Sequence, residues 1–148
     1  IPGINNYRWT FPRALSEVIV DNDDPDPTKV IKVLGPSPWF NTYNGGYNGT
    51  YIENRSSGCS VSFIGDLPYD GIYKVYIYNS RSGNWTTNIV PITISHKYGR
   101  TVFNYLGNNY SNGWSDIGNY EFIKGRFDTI KMSFGGNATF YDAVRFVY

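Results

Sequence analysis

One cysteine, one methionine and one histidine among 148 residues remove several classes of protein at once. Cys59 has no partner for an internal disulfide, so covalent stapling does not hold this chain together. The sequence offers no zinc-ligand spacing, no phosphate-binding loop, no dinucleotide fingerprint and no nucleophile elbow. His96 lies in "ISHKYG", where Gly99 signals a hairpin end rather than a general base, and Cys59 lies in "CSVSF", where it reads as a small buried hydrophobe. Glu53, Glu121 and Asp116 are scattered acids whose positions in the chain define no catalytic distance. No enzyme is expected.

Charge is equally uninformative of a polyanionic partner. Lys and Arg number 13 against 12 Asp and Glu, a net charge of +1 with no basic block, which argues against nucleic acid and anionic membrane surfaces as partners. No apolar run approaches the roughly 20 residues of a membrane-spanning helix. The length suits one domain with one core. The opening "IPGINNYRW", without Met, reads as that of a processed or excised chain.

What the chain does have is aromatic residues and glycine: 14 Tyr, 9 Phe, 4 Trp and 16 Gly, with few of the residues that favour helices. In "GIYKVYIYNS", Tyr73, Val75 and Ile77 share one face and Lys74, Tyr76 and Tyr78 the other, the period of a strand. Short runs of this kind recur between turn signals such as "GPSP", "YNGGYNG", "LPYDG" and "LGNNYSNG". About ten strands are expected, in an all-β antiparallel β-sandwich or jelly roll. "YKVYI" and "AVRFV", apolar or aromatic on both faces, are expected at its centre and covered on both sides.

From Val18 onward the order of motifs resembles the golvesin C-terminal-like domain. The matching stretches are "VIVDNDD" (18–24), "LGPSPWF" with Trp39, "GGYNGTYIENRSSG", "LPYDGIYKVYIY" (67–78), "TNIVPITISHKYG" (87–99), "NGWSDIGNYEFIKG" with Trp114 (112–125) and "YDAVRFVY" (141–148). The resemblance implies a β-sandwich appended to secreted bacterial or archaeal proteins, outside the cell and without catalytic activity; it names no ligand. It also implies core positions for Trp39 and Trp114. Residues 1–17 fall outside the pattern and read as an N-terminal arm, in which Tyr7, Trp9 and Phe11 alternate with polar residues along a short strand that Pro12 ends.

Two functional readings follow. In the first, the arm completes a neighbouring copy's sheet, so that the chain is an extracellular subunit that self-assembles into a filament, sheath or surface layer. In the second, the domain is a carbohydrate-binding module, with sugar rings stacked on Trp85, Tyr43, Tyr47 and Tyr110 in Gly- and Asn-rich loops. Sequons at Asn48, Asn54, Asn84, Asn109 and Asn137 suit an exported glycoprotein. The stretch "DNDDPDP" (21–27) departs from an EF-hand loop, having Pro25, Asp26 and Lys32 where that loop needs an oxygen ligand, glycine and an acid. It reads first as a strand end and turn. Should the fold bring Asp142 beside it, Asp21, Asp23, Asp24 and Asp142 are the candidate ligands of a structural calcium ion.

Overall fold

The computed structural model describes residues 16–80, 89–106, 113–136 and 138–148. The described residues form twelve strands: β1 (Glu17–Asp21), β2 (Val30–Val33), β3 (Phe40–Asn44), β4 (Thr50–Asn54), β5 (Ser60–Ile64), β6 (Gly71–Asn79), β7 (Ile89–His96), β8 (Gly99–Leu106), β9 (Gly113–Phe122), β10 (Thr129–Ser133), β11 (Thr139–Tyr141) and β12 (Ala143–Val147). All pairings are antiparallel, in a four-stranded sheet β1-β12-β6-β9, a five-stranded sheet β2-β5-β10-β7-β8 and a three-stranded sheet β11-β4-β3. The only helical element among the described residues is a single 3-10 turn at Tyr47–Gly49. The all-β sandwich expectation holds. No described helix is long and apolar enough to cross a membrane.

The sheets meet over one core. Val20, Val75, Ile77, Val144 and Phe146 from the four-stranded sheet pack with Val61, Phe63, Ile92, Ile94 and Ile130 from the five-stranded one, all essentially inaccessible to solvent. At about 25 cal/mol per Å² of apolar surface, this interdigitated layer is the main favourable term holding a chain without disulfides together. Pro91 is accommodated because pairing of β7 with β10 begins only at Ile92, so its missing N–H breaks no bond on that side.

Two more strands form than the roughly ten expected. Strand β3 occupies "FNTYN", a polar stretch between turn residues, and β11 is three residues long; neither shows an apolar alternation. Strand β9 begins six residues before the apolar run "NYEFI" because its period is broken. Val75 pairs with Gly118 and Tyr76 with Asp116, leaving Ile117 as the extra residue of a β-bulge. Asp116 Oδ1 accepts the Gly118 N–H at 2.8 Å, and Gly118 takes φ +116°, a region open to glycine. The bulge changes the phase of the strand: Ser115 and Ile117 face inward before it, Phe122 after it, and Trp114 and Asp116 are turned outward.

"YKVYI" and "AVRFV" are indeed the two interior strands of their sheet. Their coverage differs from expectation. The inner face of β6 is buried, whereas Lys74 is exposed and Tyr76 and Tyr78 are half-buried, so the second face of this sheet borders solvent. The expected core positions of the two tryptophans are also corrected: Trp39 is 40% exposed in the segment just before β3, and Trp114 is half-buried because it lies on the outward-facing phase of β9.

Candidate functional site

Register places a row of side chains across the outer face of the four-stranded sheet: Ile19, Arg145, Tyr76, Asp116. Two residues along, Asp21 pairs with Ala143 and Tyr78 with Trp114. Tyr78 and Trp114 are cross-strand partners whose rings meet edge to face with centroids 5.2 Å apart. Tyr47, carried by the 3-10 turn between β3 and β4, leans over both, at 5.5 Å from Tyr78 and 5.2 Å from Trp114. The Arg145 guanidinium lies 4.6 Å from the Tyr76 ring and 5.2 Å from the Trp114 ring. Its Nε is buried and makes no hydrogen bond, with the Glu17 carboxylate 3.8 Å away. Lys74 and Asp116 flank the group at 3.6 Å from each other. The result is a half-buried aromatic surface edged with charged groups at one end of the sandwich.

The turn carrying Tyr47 is held from beneath by Asp142. Its Oδ2 accepts the Tyr47 N–H at 2.9 Å, and its backbone carbonyl accepts the Asn22 N–H at 2.8 Å. A side chain at Gly46 would overlap Asp142 Oδ2, and Gly46 adopts φ 70°, ψ −157°, a conformation almost confined to glycine. Asn48 donates to Asp21 Oδ2 at 3.2 Å, and the Thr50 hydroxyl donates to Asp23 Oδ2. Burial pushes the Asp142 carboxyl up to about 7, with Asp21 and Asp23 adding repulsion; burial also raises Asp21, against the lowering effect of the Asn48 hydrogen bond.

Thus "DNDDPDP" ends a strand, and Asp142 does lie beside Asp21. Asp24 takes another direction: its Oδ1 accepts the Asp26 N–H at 2.9 Å and its Oδ2 is 3.7 Å from Lys29. Among the described residues, no three His, Cys, Asp or Glu side chains are grouped to hold a metal ion.

Of the four sugar-stacking candidates, Tyr47 stands in this cluster. Tyr43 lies on the three-stranded sheet, stacked on Tyr51 at 5.7 Å. Trp85 and Tyr110 lie outside the described residues, as do the arm residues Tyr7, Trp9 and Phe11 and the sequons Asn84, Asn109 and Asn137. Asn48 is exposed, although its Nδ2 is engaged with Asp21. Asn54 is fully buried with its Nδ2 on the Tyr141 hydroxyl at 3.2 Å, which corrects its assignment as a glycan acceptor. Cys59 is buried and its Sγ accepts the Gly35 N–H at 3.2 Å, as a structural residue. His96 ends β7 at its hairpin and bonds Thr101 Oγ1 at 2.9 Å. Glu53 on β4, and Glu121 and Asp116 on β9, pair with Arg55, Lys97 and Lys74 respectively and form no carboxylate pair. Sequence reasoning missed Trp114, Tyr78, Tyr76 and Arg145. Their signal was the outer-face alternation of "YKVYIYN", which placed Tyr76 and Tyr78 together but not their neighbours across the sheet.

The chain is thus an all-β sandwich that presents half-buried aromatic rings beside charged side chains at one end. The chain belongs to the golvesin C-terminal domain family, whose model matches residues 18–148. It is 30% identical over 141 residues to a xanthan lyase of Bacillus sp. (strain GL1), covering 90% of this chain and 15% of that protein. The structure of Paenibacillus xanthan lyase matches 88% of the chain with a TM-score of 0.77 and 29% identity, over 13% of that enzyme. The chain thus spans a small fraction of these relatives. A family 35 carbohydrate-binding module from Clostridium thermocellum, 19% identical, shares the fold with a TM-score of 0.58 over 88% of this chain and 97% of its own.

Proposed function

We propose that this domain is a non-catalytic carbohydrate-binding module of an extracellular protein, holding polysaccharide on the surface formed by Tyr47, Tyr78 and Trp114. The observation that carries the reading is this trio: three rings in mutual contact, half-buried, where aromatic side chains of a soluble domain would otherwise be packed inside. Sugar rings present apolar C–H faces to such rings, while Arg145, Asp116 and Lys74 stand where hydroxyls can be bonded. The similarity to a polysaccharide lyase, and the fold shared with a carbohydrate-binding module, support it. The self-assembling subunit draws no support from these relatives, in which the matching region is one part of a longer chain.

Affinity gel electrophoresis in xanthan and in neutral β-glucans tests the reading. The wild-type domain is expected to be retarded by at least one polysaccharide, and Trp114→Ala and Tyr47→Ala are each expected to reduce that retardation about tenfold or more while keeping a cooperative melt. Unchanged retardation in both variants overturns the site.

A further inference from the structure

A second cleft, of about 330 Å³, opens between the segment after β2 and the segment after β4, lined by Pro36, Ser37, Arg55, Ser56 and Ser57. It lies outside the aromatic surface described above. Its walls are fixed to each other. A side chain on Gly35 would come within 2.8 Å of the Ser57 carbonyl, so only glycine lets the two segments approach this closely, and the Gly35 N–H is anchored on Cys59 Sγ. On the other wall the Ser56 N–H is held by Asn54 Oδ1 at 2.8 Å, and the Arg55 N–H by the Trp39 carbonyl at 3.2 Å.

The Arg55 side chain is held by two contacts that leave its end free. Nε donates to Glu53 Oε1 at 2.7 Å, and the Glu53 side chain is only 3% exposed. The guanidinium carbon sits 4.9 Å from the ring of the partly exposed Trp39. Arginine–carboxylate pairs are frequently bidentate, through two parallel N–H bonds. Here a single Nε bond is made, and the two Nη groups make no hydrogen bond among the described residues. Buried carboxylate, indole and guanidinium together fix a planar donor edge, and Ser56 and Ser57 line the same opening.

We propose that this cleft binds an oxyanion carried on a saccharide, a carboxylate or sulfate substituent held by the Nη edge of Arg55 and the hydroxyls of Ser56 and Ser57, with Trp39 and Glu53 as positioning residues. The saccharide half of the proposal rests on the function proposed above; the oxyanion half does not. It makes the domain a two-contact binder, in which the aromatic surface takes neutral ring faces and this cleft selects polymers bearing acidic groups.

The test is a titration of the ¹⁵N-labelled full chain followed through its amide signals. Short oligogalacturonates, or a sulfated galactose oligomer where sulfate is the group recognised, are expected to shift the Ser56 and Ser57 amides saturably, and neutral galactose oligomers are not. Arg55→Lys, which keeps the charge but loses the fork, is expected to weaken this binding about tenfold. Arg55→Met strips Glu53 of its partner and is read only if its melt remains cooperative. Trp114→Ala is expected to leave the Ser56 and Ser57 response unchanged, so failure of the aromatic site and failure of this one are separately visible. Equal affinity for inorganic sulfate overturns the saccharide half; silence of both amides toward every acidic oligomer, or an unchanged affinity in Arg55→Lys, overturns the site.

Discussion

At one end of the sandwich Tyr47, Tyr78 and Trp114 meet ring to ring above the buried Asp142; at the other, His96, Tyr98 and Tyr120 gather beside Glu121. Both ends combine aromatic rings with a carboxylate, yet the two acids are displaced in opposite directions. Burial raises Asp142 to about 7, whereas the hydrogen bonds from Lys97 and Tyr98 hold Glu121 below the usual carboxylate range. At the first end the acid is taken from water to fix a turn. At the second it stays in solvent, with Lys97 Nζ at 2.6 Å and the Tyr98 hydroxyl at 3.0 Å, beside a cleft of about 370 Å³. Aromatics and acids in a sequence therefore do not by themselves define a site; what differs is whether the backbone has been committed to hold them.

The comparison breaks most sharply at Gly46. Gly46→Ala forces a Cβ into Asp142 Oδ2 in a backbone conformation that L-residues avoid. The expected loss is about 2–4 kcal/mol, a fall of roughly 5–15 °C in the melting midpoint, together with loss of polysaccharide retardation as Tyr47 is displaced. Gly99→Ala in the hairpin at the other end, where an added Cβ meets nothing within 4 Å, carries only the cost of its positive φ and is expected to fall less. Equal losses would erase the distinction between the two ends.

Much of this arrangement is legible in the sequence. The alternation in "GIYKVYIYNS" gives β6 and its two faces, and the ending of a strand at Asp21 and Asn22 follows from the turn chemistry of the acids and prolines behind it. The site was legible only in part. Trp114 could not be assigned because the Asp116–Ile117–Gly118 bulge changes the phase of β9, so a period-2 reading started from "NYEFI" cannot be extended back to it. Tyr47 was found by its loop context, but its neighbours are set by the pairing of β6 with β9 and by a contact with Asp142 that spans 95 residues. Such long-range register leaves no mark in a local window. Cys59 and Trp39 illustrate the converse: residue type suggested burial for the first and the family resemblance for the second, and only Cys59 is buried.

The buried acid offers the next test. Because the folded-state value of Asp142 is raised from 3.8 to about 7, the folded protein binds a proton there that the unfolded chain has already released. Below about pH 4 both states are protonated and the group is neutral in effect. Between pH 4 and pH 7 stability falls as pH rises, by up to about 4 kcal/mol in all, and above pH 7 the cost is constant. Asp142→Asn keeps an oxygen for the Tyr47 N–H without the charge. It is expected to flatten this slope and to raise the midpoint at pH 8, measured by thermal melts across the range. A chelator is expected to leave the wild-type midpoint unmoved. A chelator-induced drop restored by calcium would instead make Asp21, Asp23 and Asp142 a cation site, and Asp142→Asn would then destabilise at pH 8.

The smallest effect is expected at the solvent-facing end. Lys97, Glu121 and Tyr98 form a short-range network in contact with water, where an ion pair gains little over hydration and is screened by salt. The lowered Glu121 contributes its stabilisation above the ordinary carboxylate range and loses it as pH falls through its own depressed value, so its slope runs opposite to that of Asp142. Glu121→Gln is expected to remove that acid-side slope and to lower the midpoint at neutral pH only slightly, by the small stabilisation the exposed pair supplies, and 1 M salt is expected to mimic the substitution in the wild type. The backbone bond from the Lys97 N–H to the Glu121 carbonyl, 2.9 Å, survives the change and keeps the hairpin docked. If Glu121→Gln lowers the neutral-pH midpoint as far as Gly46→Ala does, the network fastens the sheets together as firmly as the Asp142 turn, and the contrast between the two ends is lost.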